Sequence, residues 1–494
     1  MLGDQEPQVP LWSYRVNLEK RVRRDHPLRR FNETLDLSFV RHEVAHTYGT
    51  RGNKSVPPET IMRMMLLLFL DDIRSERELM RIIPERLDYM WFLGYGLDEQ
   101  IPNHSVLSKA RKRWGQEVFV TLFSRVVHQC VEAGLVEANK IHVDASLVDA
   151  NASLASVKAI DPQMSAAIER TAREQVRKLD DPEEPTSDPP QSGGTQIEAP
   201  KEGGFSKTNL RFQSKTDPDA TLTRRQGLCS RPRYKTHRVV DDAHEIITAV
   251  ETTTGAVDEA RLLMELVKAH EDTTGAQAHT VIADSRYGSV HNLIECQKRG
   301  LRAHLGVFGD GNRGKGRSEG IYPESDFQYQ EQTNTYLCPA GQIMRARRLH
   351  PKRVSWEYVT AKGTCLICSL RRFCTRSRAG RTIHRHRDQK LLDQARQTAR
   401  SDAAKVDLKR RQHLIERSFA DAANLHGLKR ARWRGLWKQS IQDLLIATVQ
   451  NLRKLVTHTL KTHLLSIGEL TDLLLELTSL LGKLSRPLPL RLQI

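Results

Sequence analysis

The sequence has few aromatic residues and few cysteines. Aromatic residues make up 6% of the chain, and 7 of its 494 residues are cysteine. An odd number of thiols, sparse for this length and mostly late in the chain, argues against a disulfide framework and favours free thiols or metal ligands in a reducing compartment. No run reaches the roughly 18 apolar residues that span a bilayer, and no apolar segment follows a basic start. We therefore expect a cytoplasmic protein without a membrane partner.

Acidic residues are outnumbered by basic ones. The 77 Lys and Arg residues against 60 Asp and Glu give a net charge of +17 and a pI near 9.6. Between Gly341 and Arg400 the imbalance sharpens to 16 basic against 3 acidic residues. A solvated basic face is the ordinary explanation of a charge run, but this density favours nucleic acid. An anionic membrane is the weaker alternative, because no apolar helical face accompanies the charge. A place on or near the nucleoid follows.

The stretch from Lys140 to Ser153 carries the first candidate for chemistry. Ile141 and Val143 alternate with His142 and Asp144, which predicts a strand with one polar side and Asp144 at its end. A carboxylate that a rigid sheet holds at this position is suited to bind a metal ion. A turn-forming Asp is the simpler alternative.

Two later segments supply further carboxylates. The apolar run within 279–288 predicts a second strand that ends on Asp284, so two strands could place two aspartates side by side. Residues 410–427 predict a helix that stops near Gly427. Glu416 lies beside its apolar stripe, so we expect it to point along the sheet towards the aspartates. The stripe consists of Leu408, Ile415, Phe419 and Ala422.

Several short motifs surround these three acids. They read His-Val-Asp-Ala-Ser (142–146), Ala-Asn-Ala-Ser (150–153), Ala-Asp-Ser-Arg-Tyr-Gly (283–288), Ile-Glu-Arg-Ser-Phe-Ala-Asp (415–421) and His-Gly-Leu-Lys-Arg-Ala-Arg-Trp-Arg-Gly (426–435). Together, and over most of residues 12–460, they resemble the insertion-sequence DDE transposases, whose catalytic domain has a ribonuclease-H-like fold. The resemblance implies that Asp144, Asp284 and Glu416 form a catalytic triad.

The chain departs from the family pattern after the glutamate. The family often has a lysine two helical turns later, within a tyrosine, arginine, glutamate, lysine signature, and here that position is Ala423. Lys409 and Gln412 stand where the signature has tyrosine and arginine. Weaker DNA contacts or a decayed copy of the element would follow from this departure.

The resemblance also implies a reaction. Three carboxylates would hold two divalent ions, Mg²⁺ or Mn²⁺, about 3.5–4 Å apart. The protein would bind the ends of an insertion sequence in double-stranded DNA, as a homo-oligomer, and catalyse strand cleavage and strand transfer. Two alternatives stay open: a metal-dependent nuclease without strand transfer, and a catalytically inactive DNA-binding protein derived from a transposase, which Ala423 favours.

The N-terminal region, residues 1–135, is predicted to be helical and to bind DNA. Helices are indicated from Pro57 and Pro58 onward, from Ser75 to Ile83, and from Asn103 to about Cys130. Three close helices with a basic third one fit a helix-turn-helix-like module, and a purely structural bundle is the alternative. The residues that we expect to contact DNA here are Arg74, Arg77, Lys109, Arg111 and Arg113.

The catalytic core is predicted over residues 136–310 and 400–460. Segments 233–240 and 245–251 indicate two antiparallel strands joined by an Asp-Asp-Ala-His turn, which explains Asp241 and Asp242 more simply than metal binding does. A helix over 258–270 follows, so that the order strand, strand, strand, helix, strand suits a ribonuclease-H-like mixed sheet. Residues from Asp180 to about Ser214 are predicted to be a disordered excursion.

A basic, cysteine-bearing insertion is predicted over residues 311–399. A CxxC pair, Cys365 and Cys368, supplies two zinc ligands from one turn, and Cys338 and Cys374 complete a candidate Zn²⁺ site. His384 or His386 could replace a cysteine, and free thiols are the alternative. The leucine-rich tail, residues 461–494, is expected to pack within the chain. Further DNA-contacting candidates are Arg371, Arg372, Arg430 and Arg432.

Overall fold

The computed structural model describes residues 16–49, 55–160, 208–209, 211–224, 229–306, 320–351 and 354–459. The chain divides into two compact units. Unit 1 contains residues 1–137, 246–250 and 418–494, and unit 2 contains residues 138–245 and 251–417. The predicted leucine-rich tail and most of the predicted disordered excursion lie outside the described residues. Residues 212–214, at the end of that excursion, form a strand, so the prediction was wrong there.

Unit 1 is helical in its N-terminal part because apolar residues recur there at helical spacing. Helix α4 starts at Pro58, where the missing N–H costs nothing. Apolar residues at helical spacing in this helix, Ile61, Met64, Met65, Leu68 and Phe69, are buried. The helices are α1 Leu18–Arg21, α2 Pro27–Thr34, α3 Ser38–Val44, α4 Pro58–Leu70, α5 Glu76–Ile82, α6 Leu87–Leu93, α7 Ser105–Trp114 and α8 Glu117–Glu132.

The single helix predicted from Asn103 to Cys130 is wrong. The chain forms α7 and α8 instead, separated at Gly115, whose φ of +73° is in the left-handed region. A glycine adopts this conformation without the steric penalty of a Cβ atom, and it ends the first helix. The interruption separates the basic helix α7 from the apolar helix α8.

The C-terminal part of unit 1 includes a helix over residues 436–459. Its buried residue Asn451 forms two hydrogen bonds with the backbone of Ile247. Asn451 Nδ2 donates to the Ile247 carbonyl at 2.7 Å, and Asn451 Oδ1 accepts from the Ile247 N–H at 2.9 Å. One side chain therefore satisfies both polar groups of a peptide segment about 200 residues away.

Unit 2 is organised around a mixed sheet. The strands follow the order β4-β5-β1-β7-β8, and β6 also pairs with β5. β1 runs antiparallel to β5 and parallel to β7, and β7 runs parallel to β8. The strands of this sheet are β1 Lys140–Asp149, β4 Thr221–Thr223, β5 Arg231–Asp241, β6 Ile247–Thr254, β7 Thr280–Ala283 and β8 Arg302–Leu305, and residues 247–250 of β6 belong to unit 1. The strands β2 Val157–Ala159 and β3 Phe212–Ser214 form a separate two-stranded sheet.

A second sheet in unit 2 packs against Cys338 and Cys374, two of the candidate zinc ligands. Its five antiparallel strands follow the order β13-β12-β11-β10-β9 around a small core that includes Tyr336, Met344 and Tyr358. The strands are β9 Gln328–Gln330, β10 Thr335–Leu337, β11 Ile343–His350, β12 Ser355–Val359 and β13 Thr382–His386.

The helices of unit 2 include those predicted to carry apolar stripes. In α9 the predicted inner residues Leu263, Leu266 and Val267 are buried. Helix α12 packs against α10 and β8. The helices are α9 Leu263–Thr274, α10 Val290–Lys298, α11 Arg371–Cys374, α12 Gln389–Ala399 and α13 Asp402–His426, and residues 418–426 of α13 belong to unit 1. In the described chain, no helix combines the length and apolar character that crossing a bilayer requires.

Replacing Asn451 with Ala should destabilise the protein by about 2–4 kcal/mol, because the buried N–H and C=O of Ile247 both lose their partner. The midpoint of urea unfolding measures this loss. Asn424→Ala, which changes an exposed residue of the same unit, should shift stability by less than about 0.5 kcal/mol. Equal midpoints for the two variants would contradict the structural role of Asn451.

Candidate functional site

Asp144 and Asp284 lie next to each other at the end of a parallel ladder. The last pair of β1 and β7 is Val143 opposite Ala283, and each aspartate is the next residue of its chain segment. The prediction that β1 ends at Asp144 was wrong, because β1 continues to Asp149 along β5. The parallel pairing nevertheless stops before Asp144, so its carboxylate lies beside the segment that leaves β7.

The surroundings make the charge of Asp144 costly. Burial raises the pKa of Asp144, and the negative charge of Asp284 raises it further. The Arg411 guanidinium opposes both effects: its Nη1 lies 2.8 Å from Asp144 Oδ2. The other carboxylate oxygen accepts a hydrogen bond from the Ala145 N–H at 2.7 Å. Asp144 is thus held by one cation and one backbone donor.

Helix α13 contacts this face of the sheet through further charged pairs. Asp407 contacts Lys140 Nζ at 2.9 Å and His304 Nδ1 at 2.6 Å. Arg410 Nε lies 2.8 Å from an oxygen of Asp242. Together with the Arg411 contact, these pairs determine which residues of α13 face β1, β8 and the turn after β5.

The two aspartates that could compete with Asp144 as metal ligands have structural partners. Asp241 accepts hydrogen bonds from the N–H groups of Ala138 and Ala243, as a turn residue does. Asp242 lies 2.7 Å from His142 Nε2 and pairs with Arg410. The bond from the Ala243 N–H agrees with a turn role for Asp241, whereas Asp242 is engaged by His142 of β1 and Arg410 of α13.

Glu416 is not brought to the aspartates. It lies five residues after Arg411 on α13, which corresponds to about 140° around a helix axis. Its side chain is exposed, and the next residue, Arg417, pairs with Glu245 beyond the end of β5. In the described chain, no three His, Cys, Asp or Glu side chains form a group that could hold a metal ion. The structure therefore brings together two of the three predicted acids.

A buried carboxylate that the sequence analysis did not select lies near the pair. Glu259 is 6% exposed and contacts Lys235 Nζ at 2.9 Å and Arg286 Nη1 at 3.1 Å. The negative charge of Glu259 raises the pKa of Arg286 most, and the charges of Asp284 and Asp144 add to it. In the sequence Glu259 looks like an ordinary acidic residue at a helix start, so only its burial distinguishes it.

The predicted DNA-contacting residues of unit 1 separate into exposed and buried ones. Arg74, Arg77, Lys109 and Arg113 are exposed, whereas Arg111 is 3% exposed. Arg111 pairs with Glu76 and lies over the ring of Trp433, 3.8 Å from its centroid. The structure thus corrects the expectation for Arg111, because its charge is used inside unit 1.

Arg432 is also used within unit 1. Its Nη2 lies 2.7 Å from Asp72, and its Nη1 donates to the Leu68 carbonyl at 3.1 Å. The guanidinium lies over the ring of Phe69. Arg432 is therefore corrected from a DNA contact to a structural residue, whereas Arg430 is exposed.

An open cavity of about 260 Å³ lies among the exposed basic residues of unit 1. Arg74, Arg77 and His104 line it, together with Trp433. Arg77 Nε donates to His104 Nε2 at 3.3 Å. Glu76 also lines the cavity, but it pairs with Arg111, so the arginines leave the cavity with positive charge that suits a phosphodiester chain.

The four predicted cysteine ligands line one cavity of about 20 Å³. The Gln342 N–H donates to Cys338 Sγ at 3.3 Å, and Thr360 Oγ1 lies 3.2 Å from Cys365 Sγ. Burial raises the pKa of Cys374, and the nearby Cys365, Cys338 and Cys368 raise it further. The structure thus brings four thiols together without setting three of them in a metal-holding group.

The cluster is surrounded by basic residues. Arg371 and Arg372 belong to α11, which ends at Cys374. Arg372 is exposed, and Arg371 is half-buried, with Nη2 donating to the Ser377 carbonyl at 3.3 Å. Arg372 is therefore the more accessible of the two predicted contacts.

Comparison with known proteins yields two family matches. Residues 16–113 match a Transposase domain (DUF772), and residues 337–456 match a Transposase DDE domain. The second match contains Glu416 and the cysteine cluster, and neither match contains Asp144 or Asp284. No curated protein and no solved structure matches the chain. The two matched regions, one in each half of the sequence, support an insertion-sequence DDE transposase.

Proposed function

We propose that this transposase cleaves the ends of an insertion sequence and transfers the freed strands to target DNA, with Asp144 and Asp284 at the reaction centre. The adjacency of these two carboxylates at the end of the β1–β7 ladder carries the proposal. The strand order supports a ribonuclease-H-like core, because β6 and β1 both pair with β5, β1 is antiparallel to β5, and the parallel strands β7 and β8 follow. In such a core the aspartates occupy a sheet position from which they can face a DNA backbone.

The donor set of the aspartate pair fits Mg²⁺ or Mn²⁺, because both ions prefer carboxylate oxygens. Asp144 and Asp284 would hold the ions, and Glu416 is the third ligand that the family resemblance assigns. The described position of Glu416 does not fit, since its side chain is exposed and no three acids of the described residues form a group that could hold a metal ion. Bound divalent ions would activate the attacking oxygen and stabilise the leaving 3′ oxygen.

DNA is held, in this proposal, by exposed basic residues of both units. Arg74, Arg77 and His104 around the cavity of unit 1 offer donors for phosphate oxygens. Arg372 and the basic residues near the cysteines add affinity that does not depend on sequence. Two DNA ends must be joined to one target, so we propose that the protein acts as a homo-oligomer on DNA.

A metal-dependent nuclease is the second candidate function. The same aspartate pair would serve hydrolysis alone, and joined products separate the two activities because a hydrolase never couples a 3′ end to another duplex. A non-catalytic DNA-binding protein is the third candidate. The observation that favours it is the position of Glu416 away from the aspartates, together with Ala423 in place of the signature lysine.

We also propose that the cysteine cluster binds Zn²⁺. Four soft donors around one small cavity suit tetrahedral zinc, and the N–H donor on Cys338 Sγ favours the thiolate form that ligates it. Ion binding would draw the four sulfur atoms closer than they lie in the described arrangement. The cluster would then stabilise the second sheet.

Removing any one carboxylate of the proposed triad should stop DNA cleavage. Asp144→Asn, Asp284→Asn and Glu416→Gln keep the shape of each side chain while deleting its charge, and cleavage should fall by a factor of about 10³ or more if all three ligate the ions. Nicking and joining of end-sequence DNA in Mg²⁺ measures both steps. Asp272→Asn, an exposed acid on α9, should behave as the wild type.

The three variants also discriminate among the candidate functions. Near-normal nicking by Asp144→Asn or Asp284→Asn would show that the reaction centre lies elsewhere. Near-normal nicking by Glu416→Gln alone would remove that residue from the triad. Cleavage without joined products would favour the nuclease.

Replacing Arg74 and Arg77 with Ala should weaken binding to end-sequence DNA and reduce its salt dependence by about one unit of slope per lost phosphate contact. Fluorescence anisotropy at several salt concentrations measures both quantities. Lys268→Ala removes an exposed charge from α9 in unit 2 and should leave the slope unchanged. An unchanged slope in the double variant would contradict a DNA contact at this cavity.

Cys368→Ser should lower the zinc content of the purified protein, because three thiolates hold Zn²⁺ more weakly than four. Elemental analysis measures this content. Cys229→Ser changes an exposed thiol outside the cluster and should leave it unchanged. Wild-type protein that contains no zinc after growth in zinc-supplemented medium would refute the proposed site.

A further inference from the structure

We propose that Arg411 is the resident counter-ion of the aspartate pair, and that a divalent metal ion must displace it to bind. The inference rests on the proposed function in one respect, namely that Asp144 ligates the ion. It goes further in assigning to a residue of α13 the control of metal affinity. Arg411 would thus be a positioning residue, which holds the Asp144 carboxylate before a metal ion binds.

The first support is the electrostatic requirement of the site. Two adjacent carboxylates repel each other, and burial removes much of the water that would screen them. Arg411 Nη1 lies 2.8 Å from Asp144 Oδ2, and its side chain is 13% exposed against 25% for Asp144. A metal ion that bound Asp144 Oδ2 would compete with the Arg411 guanidinium, because both would contact the same oxygen.

The other charged groups near the pair are already engaged. Arg286 contacts Glu259 through Nη1 at 3.1 Å, and Lys235 contacts the same carboxylate at 2.9 Å. Lys140 pairs with Asp407 at 2.9 Å. Arg411 is therefore the cation that the described contacts place directly on Asp144.

The second support is that the contact of Arg411 is incomplete. One guanidinium nitrogen approaches Asp144, whereas Arg411 Nε is buried and has no hydrogen-bond partner among the described residues. A two-point arginine–carboxylate contact would be stronger and harder to replace. A divalent ion, with twice the charge and a need for several oxygen ligands, can therefore exchange with the single contact.

The third support is that α13 has independent anchors. Asp407, one turn before Arg411, pairs with Lys140 and His304. Arg410 pairs with Asp242. The helix should remain docked when Arg411 loses its contact, so that the guanidinium can move while the backbone stays.

Mn²⁺ binding to the full-length protein without DNA tests the proposal, by isothermal titration calorimetry after removal of bound metal. Arg411→Gln should bind Mn²⁺ about tenfold more tightly or better, because the ion no longer competes with a charge-assisted hydrogen bond. Arg411→Lys keeps the charge and should bind nearly as the wild type does. Arg410→Gln is the matched control, since it removes the neighbouring charge of the Asp242 pair and should leave the affinity unchanged.

The outcomes separate this inference from the proposed function. Mn²⁺ binding that Asp144→Asn abolishes, but that Arg411→Gln leaves equal or weakens, overturns the role of Arg411 alone. Mn²⁺ binding that Asp144→Asn does not affect overturns the metal site itself. A similar urea midpoint for Arg411→Gln and Arg411→Lys shows that both variants are folded. If the glutamine variant unfolds, Arg411→Met, which also removes the charge, carries the test.

Discussion

The repulsion between Asp144 and Asp284 is the constraint on which the arrangement of unit 2 depends. The parallel register of β1 and β7 places the two aspartates close together, because each aspartate directly follows the last paired residue of its strand. A half-buried pair of like charges favours a nearby cation, and helix α13 supplies it through Arg411. The other charged contacts of α13 then determine which residues face the sheet, and Glu416 is not among them.

The basic residues of the chain serve two different physical purposes. Arg111 and Arg432 are buried in unit 1, where carboxylates, carbonyl groups and aromatic rings compensate for lost hydration. Arg74 and Arg77 stay exposed beside a cavity and can exchange water for phosphate at little cost. A net charge of +17 therefore overstates the charge available for DNA.

The aspartate pair and the cysteine cluster offer two different kinds of metal ligand. Hard carboxylate oxygens at the mixed sheet suit Mg²⁺ or Mn²⁺, and soft thiolates at the second sheet suit Zn²⁺. The two sets lie on different sheets of unit 2. Mg²⁺ and Mn²⁺ have little affinity for thiolates, and four thiolates hold Zn²⁺ more tightly than two carboxylates do, so each set would favour a different ion.

The sequence by itself determined the strands around Asp144 and Asp284, the amphipathic helices and the grouping of the cysteines, because each rests on local periodicity or spacing. The family resemblance that it carried is confirmed by two matches. Only the tertiary structure decided that Arg111 and Arg432 are buried, that Gly115 divides a helix, and that Arg411 rather than Glu416 faces Asp144. These outcomes depend on how each helix or strand packs against the rest of the fold and on which distant charge compensates a buried one. The spacing of neighbouring residues in the sequence encodes neither.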